Sequence, residues 1–192
     1  SSGVVEGCLY SDIYKHTEDY GNSLIYHQCQ GFFGNLQSME IDSQSNICYA
    51  TIGTSSIPDS VFLMISYDNF ENLEFQNIFN ITEEFIGTLT RGFYSGELYS
   101  LGGIPTALRY SSDYGQTWEL KNTFSCPNLP ITGIVGGRQP GELYMNVEYK
   151  QLMCTIQHTY IYHSLDYGES FEVFHVFSCG DEPFYANFTA TP

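Results

Sequence analysis

A short polar motif occurs four times in this chain of 192 residues, and its recurrence constrains the fold more than any other feature. Two copies are nearly identical, "SSDYGQTW" at Ser111–Trp118 and "SLDYGESF" at Ser164–Phe171. A third is "TEDYGNSL" at Thr17–Leu24, and "SYDNFENLEF" at Ser66–Phe75 is degenerate, with Phe70 in place of the glycine. The motif aspartates are 49, 45 and 53 residues apart. Such spacing predicts a repeated structural unit.

The sequences around the motifs repeat as well. "GELYSLGG" and "GELYMNVE" precede the last two copies, and "TFSC" and "VFSC" follow them. Each unit divides into four short segments rich in β-branched and aromatic residues, separated by Gly, Asn and Asp, which predicts antiparallel strands. Four strands in each repeat of this length are typical of β-propeller blades. We therefore predict an all-β fold of about four four-stranded antiparallel blades, either a closed four-blade ring or part of a larger propeller.

The spacing also predicts the blade boundaries. The blades are expected at about residues 1–30, 31–80, 81–127 and 128–180, within a propeller region of residues 1–182. The first blade starts late, because "EGCLYSDI" looks like its second strand and no first strand precedes it. The segment 183–192, "PFYANFTATP" from Pro183, either supplies a closing strand or begins a following domain.

The charge balance restricts the partners and the compartment. The chain has 22 acidic and 6 basic residues and a net charge of −16, which argues against nucleic-acid phosphates and anionic membranes as partners. No apolar run approaches the roughly 20 residues of a transmembrane helix. The chain has 6 cysteines, none in a CxxC pair, and they predict disulfides rather than a zinc site. We therefore expect a secreted or cell-surface protein.

The motif resembles the Asp-box, also called the bacterial neuraminidase repeat. In that family the box is a hairpin between the third and fourth strands of a propeller blade. The family includes sialidases, xyloglucan-cleaving glycosidases, sortilin-type receptors and photosystem assembly factors. The resemblance implies a structural role for the matching residues. These are Ser111, Asp113, Gly115, Thr117, Trp118, Ser164, Asp166, Gly168, Ser170, Phe171, Thr17, Asp19, Gly21 and Asp68.

The chemistry of the motif predicts the same structural role. In a tight turn an aspartate accepts hydrogen bonds from main-chain N–H groups that the turn leaves without partners. Gly115 and Gly168 can take the positive φ that such a turn requires. Trp118 and Phe171 can bury a large face between blades. The tail "YANFTATP" resembles the opening of a polycystic-kidney-disease-type (PKD) domain, which implies a longer modular protein.

Catalytic residues are not assigned. Sialidases use three arginines, a tyrosine–glutamate pair and an aspartate, and this chain has Arg91, Arg109 and Arg138. Arg91 and Arg138 both precede a "GEL" segment and are expected to be repeat equivalents, as are Glu97 and Glu142. The family's Arg-Ile-Pro signature is absent. Paired carboxylates could serve another glycoside hydrolase. The acids outside the repeat pattern are Asp12, Asp59, Glu83, Glu84 and Asp181.

Neither metals nor cofactors are predicted. The tyrosines are expected to pack between blades, and a platform that stacks on sugars is the alternative role for them. The acidity allows weak Ca²⁺ binding, although no D-x-D-x-D-G loop occurs. His158 and His163 are expected to lie across one loop–strand junction, where a metal site is a minor alternative; the other histidines are His16, His27 and His175. The tyrosines available for stacking on sugars are Tyr94, Tyr99, Tyr144, Tyr160 and Tyr162.

The cysteines fall partly into repeat positions, which predicts one set of pairings among the fifteen that are open to 6 cysteines. Two bonds would join neighbouring blades and one would close a ring. The predicted pairs are Cys126–Cys154, Cys29–Cys48 and Cys8–Cys179.

We expect the chain to be a non-catalytic scaffold or recognition module that binds a protein or glycan through its loops. It would be attached to further domains of a longer chain and would not insert into membranes. The alternative is a glycoside hydrolase, sialidase-like or glucan-cleaving, whose site lies partly outside this sequence.

Overall fold

The fold consists of β-strands and turns. The computed structural model describes residues 13–16, 25–28, 35–53, 60–68, 72, 74–80, 88–103, 106–124, 131–150 and 157–179. These ranges contain fourteen strands and no helix, which confirms the predicted all-β class. Accordingly, none of these residues belongs to a helix of the length and apolarity that a membrane span requires.

Three four-stranded sheets account for most of the described chain, and we call them blades A, B and C. Blade A consists of β3 (Asn35–Asp42), β4 (Ile47–Gly53), β5 (Ser60–Ser66) and β6 (Glu74–Asn80). Blade B consists of β7 (Thr88–Arg91), β8 (Leu98–Gly102), β9 (Thr106–Ser111) and β10 (Glu119–Phe124). Blade C consists of β11 (Ile131–Gly136), β12 (Leu143–Lys150), β13 (Gln157–Ser164) and β14 (Glu172–Cys179).

Each sheet is an antiparallel meander in which sequence neighbours pair. The first strands contact one another from blade to blade, β3 with β7 and β7 with β11. The sheets therefore pack face to face in chain order, with their first strands adjacent. This arrangement confirms the propeller-type fold that the repeats predicted.

The hydrophobic core lies between successive blades, because each sheet buries the face that it turns toward the next. The forward face of a blade is defined here as the face toward the blade that follows in the chain. The forward face of blade A supplies Ile47, Tyr49, Leu63, Ile65 and Phe79, which pack against Leu89, Leu98, Tyr114 and Trp118 of blade B. The forward face of blade B supplies Tyr99, Leu101, Leu108, Tyr110 and Phe124, which pack against Ile131, Ile134, Leu143, Tyr167 and Phe171 of blade C.

Side chains connect the first strands, which form no continuous sheet. The Leu89 N–H donates to Ser38 Oγ at 3.1 Å across the joint between blades A and B. The Gly136 N–H donates to Thr90 Oγ1 at 3.3 Å across the joint between blades B and C. An acceptor on one blade thus satisfies a main-chain donor of the next.

A fourth unit is represented by a hairpin, β1 (Ile13–His16) paired with β2 (Ile25–Gln28). It flanks the motif at Thr17–Leu24 as β9 and β10 flank the motif of blade B, and it corresponds to third and fourth strands. The second strand predicted at "EGCLYSDI" lies largely outside the described residues, and so does the tail from residue 183. Each described sheet falls within one of the four blade ranges expected from the repeats.

Candidate functional site

The repeated motif forms the turn between the third and fourth strands of each blade, and we call this segment the motif turn. In blade B the Asp113 carboxylate accepts hydrogen bonds from Thr117 N–H at 2.8 Å, Thr117 Oγ1 at 2.6 Å and Ser111 Oγ at 2.8 Å. Ser111 Oγ in turn accepts the Gly115 N–H at 2.9 Å. One carboxylate and one hydroxyl therefore organise the whole turn.

The motif turns of blades A and C have the same hydrogen bonds around their aspartates. In blade C, Asp166 is bonded by Ser164 and by both the N–H and the hydroxyl of Ser170. In blade A, Asn72 replaces the hydroxyl residue, and its N–H and side-chain amide donate to Asp68 at 2.9 and 2.6 Å. The degenerate copy thus keeps the same pattern of donors around its aspartate, with a side-chain amide in place of a hydroxyl. Thr17, Asp19 and Gly21 lie outside the described residues.

The motif glycines make the turn possible in two ways. Gly115 and Gly168 have φ of 80° and 85°, a region that residues with a Cβ rarely enter. A Cβ on Gly115 would also lie 2.3 Å from Leu63 Cδ2 of blade A, and one on Gly168 would lie 2.2 Å from Leu108 Cδ2 of blade B. Each glycine therefore permits the close approach of its turn to the preceding blade.

Asparagines on the fourth strands hold the motif turn of the next blade. Asn77 Nδ2 of blade A donates to the carbonyl of Gln116 at 3.1 Å in blade B. Asn122 Nδ2 of blade B donates to the carbonyls of Gly168 at 3.2 Å and Glu169 at 3.1 Å in blade C. Neither asparagine was predicted from the sequence, although each stands nine residues after its motif aspartate.

Aromatic contacts complete each of these joints. The Trp118 ring meets Phe79 of blade A edge to face, with centroids 5.8 Å apart, and its Nε1–H donates to the Gly115 carbonyl at 3.0 Å. Phe171 meets Phe124 of blade B at the same centroid distance. Trp118 and Phe171, which end the motifs of blades B and C, thus pack on the preceding blade, and such edge contacts favour a fixed ring orientation.

The motif aspartates are held in their ionised form. Partial burial raises the pKa of Asp113 and Asp166, but the hydrogen bonds from Thr117 and Ser111, and from Ser170 and Ser164, outweigh it. Both pKa values therefore lie below the ordinary value. The pKa of Asp68 is also lowered, chiefly by the side-chain and main-chain hydrogen bonds of Asn72.

Glu97 and Glu142 support the turn between the first and second strands. Glu97 Oε2 accepts the Tyr94 N–H at 2.9 Å, and Glu142 Oε2 accepts the Arg138 N–H at 2.7 Å. The other oxygen of Glu97 accepts the Tyr110 hydroxyl at 2.6 Å. In blade C the corresponding oxygen faces two groups, Tyr144 Oη at 2.9 Å and His163 Nε2 at 3.2 Å.

The tyrosines that contact these glutamates have raised pKa values. Burial, followed by the hydrogen bond to Glu97, raises the pKa of Tyr110, and burial with the bond to Glu142 raises that of Tyr144. The two phenols come from different strands, Tyr110 from β9 and Tyr144 from β12, so the glutamate recurs in both blades but its tyrosine partner does not.

Asp42 is a buried acid that the sequence analysis did not single out. It ends β3, and its Oδ2 accepts hydrogen bonds from Ser45 Oγ and Ser95 Oγ, each at 2.7 Å, and from Gly96 N–H at 3.2 Å. Burial raises its pKa, but the bonds from Ser95 and Ser45 outweigh that effect and lower it. Asp42 therefore ties the first turn of blade A to that of blade B.

Arg91 and Arg138 do not occupy equivalent positions in their blades. Arg91 is the last residue of β7 and pairs with Leu98, whereas the residue that pairs with Leu143 in blade C is Gly136. Arg138 lies two residues further on, in an exposed turn, so the predicted equivalence of Arg91 and Arg138 is wrong. The prediction counted back from the "GEL" segments alone. The pairing of the first strand with the second shows that Gly136, not Arg138, corresponds to Arg91. Arg109 lies in β9.

The histidines and tyrosines are distributed over different faces. His158 and His163 both lie within β13, not across a junction. They are five residues apart on a strand whose side chains alternate, so they lie on opposite faces of the sheet.

The tyrosines also lie on different faces. Tyr144 pairs with His163, while Tyr160 and Tyr162 pair with Val147 and Met145 on the other face. Tyr99 is buried between blades, and Tyr94 lies in a turn, 53% exposed. His175 lies in β14; His16 and His27 lie in β1 and β2, where only the backbone is described.

Among the residues that the structure describes, no three His, Cys, Asp or Glu side chains are grouped to hold a metal ion. The acids Asp12, Asp59, Glu83, Glu84 and Asp181 lie outside those residues.

Cys48 has a free, buried thiol, so the predicted Cys29–Cys48 bond is not present in the structure. The side chain points into an apolar cluster with Ala50, Ile52 and Met64. This cluster lies on the rear face of blade A, which is the face opposite its forward face. Burial, and then the negative charge of Asp68, raises the pKa of the thiol. Cys8, Cys29, Cys126 and Cys154 lie outside the described residues, and of Cys179 only the backbone is described.

Comparison with known proteins identifies the fold alone. No protein-family model and no curated protein matches the sequence. Among solved structures, YCF48 from Cyanidioschyzon merolae matches with a TM-score of 0.51 at 14% identity, over 73% of this chain and 37% of that one. A nidogen–laminin complex matches with a TM-score of 0.55 at 9% identity, over 81% of this chain and 55% of that one. These neighbours are β-propeller proteins, and the chain spans only part of their length.

Proposed function

We propose that this chain is a non-catalytic recognition module, built on Asp-box repeats, that binds a protein partner through its loops. One observation carries the proposal: the described acids that repeat from one blade to another are engaged within the fold. Asp113 and Asp166 hold the motif turns, while Glu97 and Glu142 hold the first turns. A catalytic carboxylate must reach the substrate, whereas these oxygens accept hydrogen bonds from main-chain N–H groups and side chains of the fold.

The charge of the chain indicates the chemistry of the partner. A net charge of −16 with 6 basic residues favours a basic protein surface, and salt should weaken such an association. The nidogen–laminin structure is a complex between proteins, which supports a protein partner for a propeller of this kind. A glycan is the alternative ligand, although the tyrosines considered for it are divided between two faces and a turn.

The same proposal includes the setting of the chain. Its cysteine content and acidity suit a secreted or cell-surface protein, and the PKD-like tail suits a modular one. We propose that further domains of a longer chain flank the propeller region. No cofactor is required for this function, and weak Ca²⁺ binding would be incidental to it.

The test combines catalysis and binding on the same preparation. A panel of fluorogenic glycosides, with a known sialidase as positive control, measures turnover. Biolayer interferometry measures binding to purified extracellular proteins of high and low pI, and a glycan array measures binding to sugars. We expect no turnover, together with binding to a basic protein that weakens as salt rises. Turnover of any glycoside would instead support the glycoside hydrolase, and binding to sugars alone would replace the protein partner.

A further inference from the structure

An aromatic and acidic cluster lies on the forward face of blade C, next to its motif turn. The Tyr144 ring is stacked on the His163 imidazole, with centroids 4.6 Å apart and planes 20° from parallel. Phe174 meets these two rings edge to face, at 5.5 and 5.6 Å. Glu142 Oε1 lies 3.2 Å from His163 Nε2, and Glu172 Oε1 lies 4.0 Å from His163 Nδ1. We call these five residues the blade C cluster.

The blade C cluster is partly buried and partly open to solvent. Glu142 is buried, which raises its pKa, but hydrogen bonds from Tyr144, the Arg138 N–H and His163 outweigh burial and lower it. This carboxylate therefore remains charged at neutral pH. At the other side, the Glu172 side chain is 80% exposed and Phe174 is 61% exposed. A cation that approaches from solvent thus meets an aromatic ring and a carboxylate together.

In blade B an ammonium group occupies the equivalent place. Tyr110 pairs with Glu119 as His163 pairs with Glu172, and Lys121 lies at the register shift of its strand, as Phe174 does in blade C. Lys121 Nζ lies over the Tyr110 ring, 5.5 Å from its centroid, and 3.0 Å from Glu119 Oε2. It also lies 3.5 Å from Glu169 Oε1. This chain thus already holds a cation with an aromatic ring and carboxylates.

Blade C has the carboxylate and the rings of this arrangement without the lysine. The fourth strands of the three blades all begin with a glutamate, Glu74, Glu119 and Glu172. Two positions later they have Gln76, Lys121 and Phe174. In blade A the residue paired with the glutamate is Ile65, which offers no ring. Blade C therefore differs from blade B in lacking a cation from its own fourth strand at this position, and from blade A in having aromatic groups there.

We propose that the blade C cluster binds a lysine side chain on the surface of the basic partner protein. The inference rests on the proposed function, because it assigns a place to the positive charge that such a partner brings. The ammonium group would lie against Phe174 and beside Glu172, as Lys121 lies over Tyr110 and beside Glu119. A net charge of −16 favours an extended basic surface over a free small amine, since many charges then contribute to the attraction.

Fluorescence anisotropy with a labelled peptide tests this site on the 192-residue chain. The probe is a fluorescein-labelled peptide of alternating glycine and lysine, and the same peptide with acetylated lysines is the neutral control. Phe174→Lys gives blade C the lysine that blade B has, so the chain's own ammonium group should occupy the site. We expect this variant to raise the Kd of the lysine peptide at least about fivefold.

The matched control is Val173→Lys, at the neighbouring position. Val173 is 51% exposed and pairs with Tyr162, on the opposite face of the sheet. This variant has the same change in charge and should raise the Kd by less than about twofold, because salt screens the distant charge. Comparing the two variants thus separates the site from the general attraction of an acidic chain for a basic peptide.

A second pair of variants removes a negative charge. We expect Glu172→Gln to raise the Kd at least about threefold, whereas Glu74→Gln, its counterpart in blade A, should change it by less than about twofold. Thermal unfolding of the four variants verifies that each is folded. Equal effects within either pair would overturn the proposal, and so would binding of the acetylated peptide as tightly as the lysine peptide.

The same variants distinguish this site from the proposed function. A basic protein that binds the parent chain and the Phe174→Lys variant equally well would overturn the site and leave the recognition module in place. Turnover of a glycoside, or a chain that binds no protein, would overturn the proposed function instead, even if the lysine peptide still binds at the blade C cluster.

Discussion

At residue 115 the backbone conformation and the packing both require glycine. Its φ of 80° and the distance of 2.3 Å that a Cβ would have to Leu63 Cδ2 are independent constraints. Tyr114, beside it, accepts a φ of 62° with its side chain present, and its N–H donates to the Gly96 carbonyl at 3.0 Å. The motif therefore uses one glycine where two adjacent residues are left-handed, because it is at residue 115 that a Cβ would clash with the preceding blade.

Replacing this glycine should destabilise the protein more than replacing an unconstrained one. We expect Gly115→Ala to lower the free energy of unfolding by about 2–4 kcal/mol, from left-handed strain and overpacking against Leu63. Gly133→Ala is the matched control and should change it by less than about 0.5 kcal/mol. Urea denaturation followed by tryptophan fluorescence measures both. Equal effects of the two variants would contradict the role given to Gly115.

The motif aspartates should make stability depend on pH at the acidic end. Because the folded pKa of Asp113 and Asp166 lies below the ordinary value of 3.8, their stabilisation is present above that pH. It is lost as the pH falls through the folded pKa. The double variant Asp113→Asn, Asp166→Asn should therefore have a lower Tm at neutral pH and a flatter decline of Tm below about pH 4.

An exposed carboxylate serves as the control for this experiment. Glu74→Gln, on β6, should leave the acid-dependent part of the Tm profile close to that of the parent protein. The assignment fails if the double variant and the parent lose Tm with the same slope between neutral and acidic pH.

At the scale of elements, the fourth strand of one blade and the motif turn of the next form a single unit. The asparagine lies beside a register shift, Leu120 to Asn122 in blade B, and a similar shift occurs in blades A and C. A bulge turns the side chain that follows it and locally increases the twist of the strand. The irregularity thus lies beside the side chain that reaches the neighbouring turn.

Removing one asparagine should loosen the turn that it holds in the next blade. We expect Asn122→Ala to cost about 1–3 kcal/mol, since two carbonyls lose their donor. Faster amide exchange should appear at Tyr167–Ser170 of blade C. Thr123→Ala, at the adjacent exposed position, should stay within about 0.5 kcal/mol. Exchange that rises in blade B but not at Tyr167–Ser170 would contradict this coupling.

The local parts of this structure could be predicted from the sequence, because they depend on short-range chemistry. The four-stranded units follow from period-two patterning and turn residues. The contacts of Asp42 with Ser95 and Gly96 could not, because they join residues more than fifty positions apart that do not repeat. Asn77 and Asn122 could have been found, because they recur at a fixed distance from the motif. Asn72 was missed because its amide replaces a hydroxyl, which a letter-by-letter comparison scores as a mismatch.

At the scale of the whole molecule, stability depends on a succession of similar joints. The reactivity of the free thiol of Cys48 measures how readily the packing on one face of blade A opens. Its cluster lies on the rear face of blade A, opposite the face that packs on blade B. The side chain is 1% exposed. Access to this thiol therefore requires the packing on that face to open.

Cys48 should react only after the protein unfolds. Because burial and Asp68 raise the pKa of the thiol, we expect negligible alkylation by iodoacetamide in native buffer and full alkylation in guanidinium chloride without reductant. Peptide mapping under non-reducing conditions provides the measurement. Recovery of a Cys29–Cys48 peptide would show that this cysteine forms the disulfide predicted from the sequence.

The joints between blades are directional. The asparagine, leucine and aromatic residue always belong to the blade that comes first in the chain, and the glycine turn belongs to the one that comes second. A blade thus has the residues that hold a turn on its forward face, and its own motif turn on the side that meets the preceding blade. Grafting or duplicating blade B should be tolerated in one orientation only, with the receiving neighbours supplying the matching halves. A propeller of this kind can gain blades by tandem duplication without any change to its existing surfaces.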